Sequence, residues 1–297
     1  MAITKTSSLG DTLPTIIASA RFTEQFGEVI SKRCWRIKKK LHSGLTVNLP
    51  YWGIVTAQGL TEGVDMVNGQ AMEDTNVQFT PAEVGAQIII TDKLVRDNAE
   101  NVLVAGGRIL GNAMVTKREE DLAAQLDDAT ASMGATGTTL TLGHLAAAHA
   151  RLAGNPVSAG GPAPKPYVAF HHPYVLLDIV DVLTPILAVA GTAGHGATAG
   201  GVADEFLRNY LRGRLFGMDI YECGNIAIDS TPDAKGGIIA AGEGGGLVLV
   251  IADEWDIKPE YDASRRATEL NIVGEYAVGE YLAGWIVELF NDATTPA

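Results

Sequence analysis

The sequence predicts an α+β fold in which a long two-stranded excursion precedes one very long helix. Three observations predict it. Alternating apolar residues at Leu45, Val47 and Leu49 mark a strand whose partner begins only near Val77 and Phe79, after a glycine-punctuated stretch. A helical pattern then runs from Asp97 for about thirty residues, roughly 45 Å at ~1.5 Å per residue. Past residue 140, short helical and strand-like segments interleave, and strands dominate the end.

Taken in order, residues 1–12 are polar and without period, which predicts an arm. From Leu13 the pattern turns helical, with Pro14 tolerated in a first turn and Ile17, Ala20 and Phe26 near one face. The basic stretch "SKRCWRIKKK" (31–40) follows. The first flap strand is "GLTVNLP", which Pro50 is expected to end. Val84, Ala86, Ile88 and Ile90 continue the alternation on the return. Asp97 with Glu100 three residues on reads as an N-terminal cap for the long helix. Its expected apolar stripe is Val102, Ala105, Ile109 and Ala113, continued by Val115, Leu122, Leu126 and Ala129. Gly106, Gly107 and Gly111 weaken that helix, so packing must hold it. A short helix is expected through "HLAAAHARLAG", a loop at "GNPVSAGGPAPKP" and a strand at "YVAFHH". Helices are then expected from Pro173 and through "VADEFLRNYLRG". "RLFGMDIYECGNIA", "GGIIAAG", "GLVLVIAD" and "YAVGEYLAGWIVELF" supply the closing strands.

Composition excludes several classes. The 297 residues suffice for a large core. With 46% hydrophobic residues, 19% charged residues and a mean hydropathy of +0.12, the chain is somewhat apolar for a free monomer. That predicts burial by association. A net charge of −13 argues against a nucleic-acid reader, which needs a basic face. Cys34 and Cys223 make no disulfide framework. The start lacks a signal peptide's apolar core, and no run approaches the ~20 residues of a membrane span. A protein made in the cytosol, without a membrane partner, is expected.

Two windows suggest nucleotide chemistry. "GTAGHGAT" (191–198) matches the phosphate-binding loop at Gly191, Gly196 and Thr198, but Ala197 stands where the lysine belongs. That lysine's contact with the terminal phosphates is what phosphoryl transfer depends on. "LVLVIADEW" (247–255) resembles a magnesium-holding strand end, yet equally an ordinary buried strand followed by an acidic turn. Pro185 and the lack of alternating parallel strands and helices oppose the nucleotide reading. His144 and His149 do not share a helix face, and His171 and His172 point to opposite sides of a strand. Neither cysteine has a metal-spaced partner. No catalytic, cofactor or metal site is expected.

Charge layout carries more. Lys32, Arg33, Arg36, Lys38, Lys39 and Lys40 form a basic strip. No lysine or arginine then occurs before Lys93, while Glu62, Asp65, Glu73, Asp74, Glu83 and Asp92 intervene. One reading is two solvated faces. The other is an acidic flap that pairs with the basic strip of a neighbouring chain, since a lone hairpin is marginal in water.

The order of parts (arm, helix, flap, very long helix, α/β middle, β-rich end) resembles the major capsid proteins of tailed double-stranded DNA phages, the Hong Kong 97-type fold. "LPTIIASARFTEQFGEVISKRCW" resembles the N-terminal helix, and "SGLTVNLPYWGIVTAQGLTEGVDM" the outgoing flap, or E-loop. "VGAQIIITDKLVRDNAENVLVAGGRILGNAMVTKREEDLAAQLDD" is similar to the flap's return and spine helix. "KPYVAFHHPYVLLDI" and "LFGMDIYECGNIAI" resemble parts of the axial domain, and "NIVGEYAVGEYLAGWIVELF" the closing peripheral strands. The resemblance implies an N-terminal arm and helix (1–40), the flap (41–92) and a peripheral domain with the spine helix (93–140). An axial domain (141–255) and a return to the peripheral domain (256–297) complete it.

It further implies a homo-oligomer of pentamers and hexamers enclosing double-stranded DNA without reading its sequence. The subunit is expected to be made in the host cytoplasm and to end in the virion. A portal and a decoration protein are partners such a shell admits. The spine helix begins too early to leave room for a fused N-terminal scaffold, so a separate scaffolding protein is expected. Some members weld their shells through an isopeptide bond from a flap lysine; none lies between residues 41 and 92, so non-covalent locking is expected. An encapsulin-like protein shell shares the fold and stays open. A degenerate nucleotide-binding enzyme is the alternative from another class.

Overall fold

A computed structural model describes residues 27–40, 44–63, 65, 69–97, 102–179 and 213–296. The expected arm and N-terminal helix before Gly27, the "GTAGHGAT" loop and the helix at "VADEFLRNYLRG" lie outside the described residues.

Among the described residues three sheets organise the chain. A four-stranded sheet has the order β1 (Trp35–Lys38), β10 (Leu247–Asp262), β11 (Ala267–Glu280), β4 (Ala82–Thr91). A six-stranded sheet has the order β5 (Ser132–Gly134), β12 (Ile286–Asp292), β9 (Asp233–Ala240), β6 (Tyr167–His171), β8 (Met218–Glu222), β7 (Arg214–Leu215). The flap strands β2 (Val47–Trp52) and β3 (Asp74–Phe79) form a sheet of their own. Among the described residues the helices include α1 (Asp92–Asp97), α2 (Val102–Asp127) and α3 (Leu142–Ala153), and residues 173–179 are helical, as expected from Pro173.

The flap pairing is as expected, with two differences. Pro50 does not end β2, which continues to Trp52. In a two-stranded sheet each strand has an open side, so a missing N–H is tolerated, and the Pro50 carbonyl accepts the Tyr281 hydroxyl at 2.9 Å. Leu45 lies before the strand and is exposed.

The spine helix differs more. Asp97 closes the separate short helix α1 instead of capping the long one, while Glu100 lies outside the described residues. The long helix spans 26 residues, and its buried line is Val102, Gly106, Leu110, Met114, Arg118, Leu122 and Leu126, one residue in four. Ile109, expected in the stripe, is 50% exposed. Gly106 explains the shift. A Cβ there would lie 3.1 Å from both Ile90 Cδ1 and Leu270 Cδ1, so the bare backbone is itself a contact with the sheet. The helix crosses two cores. Val102, Leu110 and Met114 pack with Ile90, Leu270 and Ile272 of the four-stranded sheet. Leu122, Ala123 and Leu126 join the large core around Phe170, Ile238 and Leu289.

Thr141 caps α3, its hydroxyl accepting the His144 N–H at 3.2 Å, as a β-region residue before a helix should. The turn between β7 and β8 places Phe216 and Gly217 both at positive φ, 52° and 77°, the geometry of a two-residue hairpin. The supposed acidic turn after "LVLVIAD" is absent: β10 runs on to Asp262, with register irregularities between Ile251 and Asp256. Asp253 and Glu254 therefore sit in mid-strand. The expected boundary at 255/256 falls inside β10, and β12 hydrogen-bonds between β5 and β9 in the six-stranded sheet, away from the strands of the return.

Candidate functional site

The basic strip is divided by its own fold. β1 adds in parallel to the start of β10, and alternation sends Arg36 and Lys38 to one side of the sheet and Trp35 and Ile37 to the other. Arg33 donates to the Val29 carbonyl at 2.8 Å, and its guanidinium lies 3.5 Å from the centre of the Tyr221 ring. Arg36 donates to the Ser31 carbonyl and lies 3.6 Å from Glu28. Both arginines are engaged within the subunit. Lys38 pairs with Glu254 at 3.6 Å where both are well exposed, and Lys39 reaches the Leu45 carbonyl at 3.4 Å. Lys32 and Lys40 are exposed.

Glu62, Asp65, Glu73 and Asp74 are all exposed on the flap, but no pair between them and the strip forms within one subunit among the described residues. The flap tip is tied by its backbone. Gly53 donates to the Glu73 carbonyl at 2.7 Å, and the Gln70 amide bonds both backbone groups of Thr56, at 2.8 and 2.7 Å. Sequence reasoning missed its apolar face. Trp52, Ile54, Val55, Leu60 and Met72 are 56% to 77% exposed. The signal was present in "YWGIV", an apolar run inside an excursion that has no core of its own.

The flap base, in contrast, is packed. Phe79 joins Val248 and Val250 in a small separate core bordered by Trp35, Val47, Leu49 and Tyr281. Tyr281 sits edge-on to Trp35, with ring centres 5.4 Å apart, as well as bonding Pro50. The flap thus has a fixed root and an exposed tip.

A second unforeseen cluster joins the segment from Glu28 to Ser31 to α2. The buried Glu119 carboxylate accepts the backbone N–H groups of Val29, Ile30 and Ser31 at 3.0, 2.8 and 3.0 Å. Beside it Arg118, nearly fully buried, donates to Glu28 and lies 4.2 Å from the centre of the Trp255 ring. Arg118, four residues from both Met114 and Leu122 on the helix, was the available clue.

His171 is fully buried, neither ring nitrogen has a partner among the described residues, and burial pushes the imidazole down to about 4. His172 accepts the Tyr174 N–H at 3.2 Å, and His149 packs edge-on against Tyr167. Cys34 and Cys223 are buried free thiols, pushed by that burial up to about 12 and about 11. Among the described residues no group of histidine, cysteine and carboxylate side chains is arranged to hold a metal, and no helix is long and apolar enough to cross a membrane.

No family model matches the sequence, and no curated protein does. Solved structures match in fold from end to end. The head structure of Helicobacter pylori bacteriophage KHP40 shares 9% identity over 99% of both chains, with a TM-score of 0.73. The capsid of Ralstonia phage GP4 shares 12% identity over 97% of this chain and 98% of that one, TM-score 0.66. A Mycobacterium phage Che8 structure shares 16% identity over 93% and 96%, TM-score 0.65. At these identities the likeness establishes the fold, and that fold is the expected α+β one of phage capsid subunits.

Proposed function

We propose that this chain is a major capsid protein of a tailed double-stranded DNA phage, a structural subunit that assembles into pentamers and hexamers of an icosahedral shell. The observation that carries the reading is the fold likeness to the KHP40 head over 99% of both chains. The rooted flap with an apolar tip supports it, because no described residue of the subunit covers that tip. In this reading the four-stranded sheet with most of α2 is the peripheral domain, and the six-stranded sheet is the axial domain. The flap, apolar at Trp52 and Met72 and acidic at Glu62, Asp65, Glu73 and Asp74, lies across a neighbour that presents Lys32, Lys38, Lys39 and Lys40. A separate scaffolding protein and a portal complete the assembly.

Negative-stain microscopy of the purified protein tests this directly. Closed shells or capsomer rings are expected; a discrete monomer at high concentration overturns the reading. Nuclease-protected double-stranded DNA inside particles from infected cells separates a phage shell from a protein-filled compartment of the same fold.

A further inference from the structure

The hairpin that joins β7 to β8 carries an aromatic side chain where backbone geometry disfavours one. Phe216 has a φ of 52° and Gly217 a φ of 77°, so both central residues of the turn are left-handed. Such a turn calls for asparagine, aspartate or glycine at its first central position, because a Cβ there crowds the following carbonyl. A phenylalanine ring has no hydrogen-bonding group with which to offset that crowding. Burial within the subunit does not offset it in full either, since Phe216 is 48% exposed. Arg266, the other non-glycine residue at positive φ among those described, has an evident reason for its geometry. Its carbonyl accepts the Asp92 N–H at 2.9 Å and ties the turn between β10 and β11 to α1. Phe216 has no such tie, and strain of this kind points to a contact outside the subunit.

The surroundings hold the ring outward. On either side of the turn, Leu215 and Met218 are buried and belong to the large core. The Gly213 carbonyl accepts the Ile220 N–H at 2.9 Å and closes the next rung of the hairpin. The base is therefore rigid, and the ring is presented in place. β7 is the last strand of the six-stranded sheet, so the tip stands at that sheet's free edge. The two charges nearest to it in sequence, Arg214 and Asp219, pair with each other at 3.1 Å. In a chain of net charge −13 the tip is an apolar spot whose adjoining charges cancel.

We infer that Phe216 is a contact between copies of this chain, its ring packed against a neighbouring subunit. The inference rests on the shell reading and adds to it a contact made by the six-stranded sheet, apart from the flap. Charge selects the occupant. Two copies of net charge −13 repel overall, so they meet where opposite charges face each other or where charge is cancelled locally. The exposed Lys32, Lys38, Lys39 and Lys40 serve the first kind of contact, toward the acids of a neighbour's flap. The tip at Phe216, with Arg214 and Asp219 already matched, serves the second. Covering the exposed half of the ring in the assembly supplies the stabilisation that the turn lacks in the lone subunit.

The test uses the full-length chain in two ways. With Phe216→p-benzoylphenylalanine, irradiated assemblies should yield subunits joined covalently in pairs, with a peptide of a second copy attached at position 216. Attachment only within the same chain, only to a different protein, or not at all overturns the proposal. Phe216→Asn suits the turn and should melt no lower than the wild type. It should nevertheless raise the subunit concentration needed for assembly roughly tenfold, the worth of covering about half a phenylalanine side chain. Phe216→Leu keeps an apolar side chain and should fall between the two. An asparagine variant that assembles like the wild type overturns the proposal. So does one that melts lower, which would assign the ring to the subunit's own fold. Wild-type protein that forms neither rings nor shells sinks the shell reading itself, whereas normal assembly of both proteins sinks this contact alone.

Discussion

The carboxylate of Glu119 accepts the backbone N–H of Ile30 at 2.8 Å, joining residues 89 apart in sequence, and both are buried. The same carboxylate holds the N–H groups of Val29 and Ser31. An anion surrounded by backbone donors replaces its lost hydration with fixed dipoles. One side chain thereby fixes the path by which the segment Val29, Ile30 and Ser31 meets the long helix.

Glu119→Ala should orphan those donors in a buried site and destabilise the subunit by roughly 3 kcal/mol or more. Glu119→Gln keeps one acceptor oxygen and should lose less. Urea midpoints at constant m-value check the order; an alanine variant as stable as the glutamine one would contradict the anchor.

Hydrogen exchange along the flap should be graded. Amides of residues 53–63 and 69–73 should exchange fast in the isolated subunit and slowly in shells, because their side chains lack a local core. Those near Phe79 should be slow in both states, held by Val248, Val250 and Tyr281. A uniform flap, fast or slow throughout, would remove the distinction between root and tip.

Stability should fall in acid through His171. Unfolded, its ring takes a proton near 6.5; burial holds it at about 4 in the native chain. As pH drops across that window the unfolded chain binds the proton first, so stability declines by up to about 3 kcal/mol. His172, lowered by burial, acts in the same direction. Glu280 and Glu288, raised by burial, act oppositely, the native chain taking the proton first. Comparison of wild type with His171→Leu isolates the histidine: the leucine variant should show the shallower loss between about pH 7 and 4. Parallel profiles would contradict it.

Shells boiled in detergent should run as one band of 31.2 kDa, since no lysine lies between residues 41 and 92 to weld neighbours. Lys39→Glu with Lys40→Glu should weaken assembly most at low salt, where exposed pairs are least screened. A covalent ladder would refute the first expectation, and salt-independent normal assembly the second.

What the sequence disclosed follows local periodicity. Leu49 against Asn48 announces β2, and "YVAFHH" announces β6, because alternation and apolar runs are properties of neighbouring residues. The buried line of α2 was misread at Ile109 because Gly106, with no side chain, makes the close contact, and because Arg118 is buried by partners on other elements. The parallel pairing of Trp35 with Val248 leaves no local trace at all. At the candidate surfaces, charge runs located the flap acids but hid the engagement of Arg33 and Arg36, which depends on tertiary neighbours.

One rod, α2, lends its first half to one core and its second half to another. Loss of either core would strip one side of a helix whose glycines give it little stability alone. The two parts of the subunit that share this helix are therefore bound to melt together, a single calorimetric transition across two interiors. A wall built from such units yields as whole bricks and does not crumble at their corners.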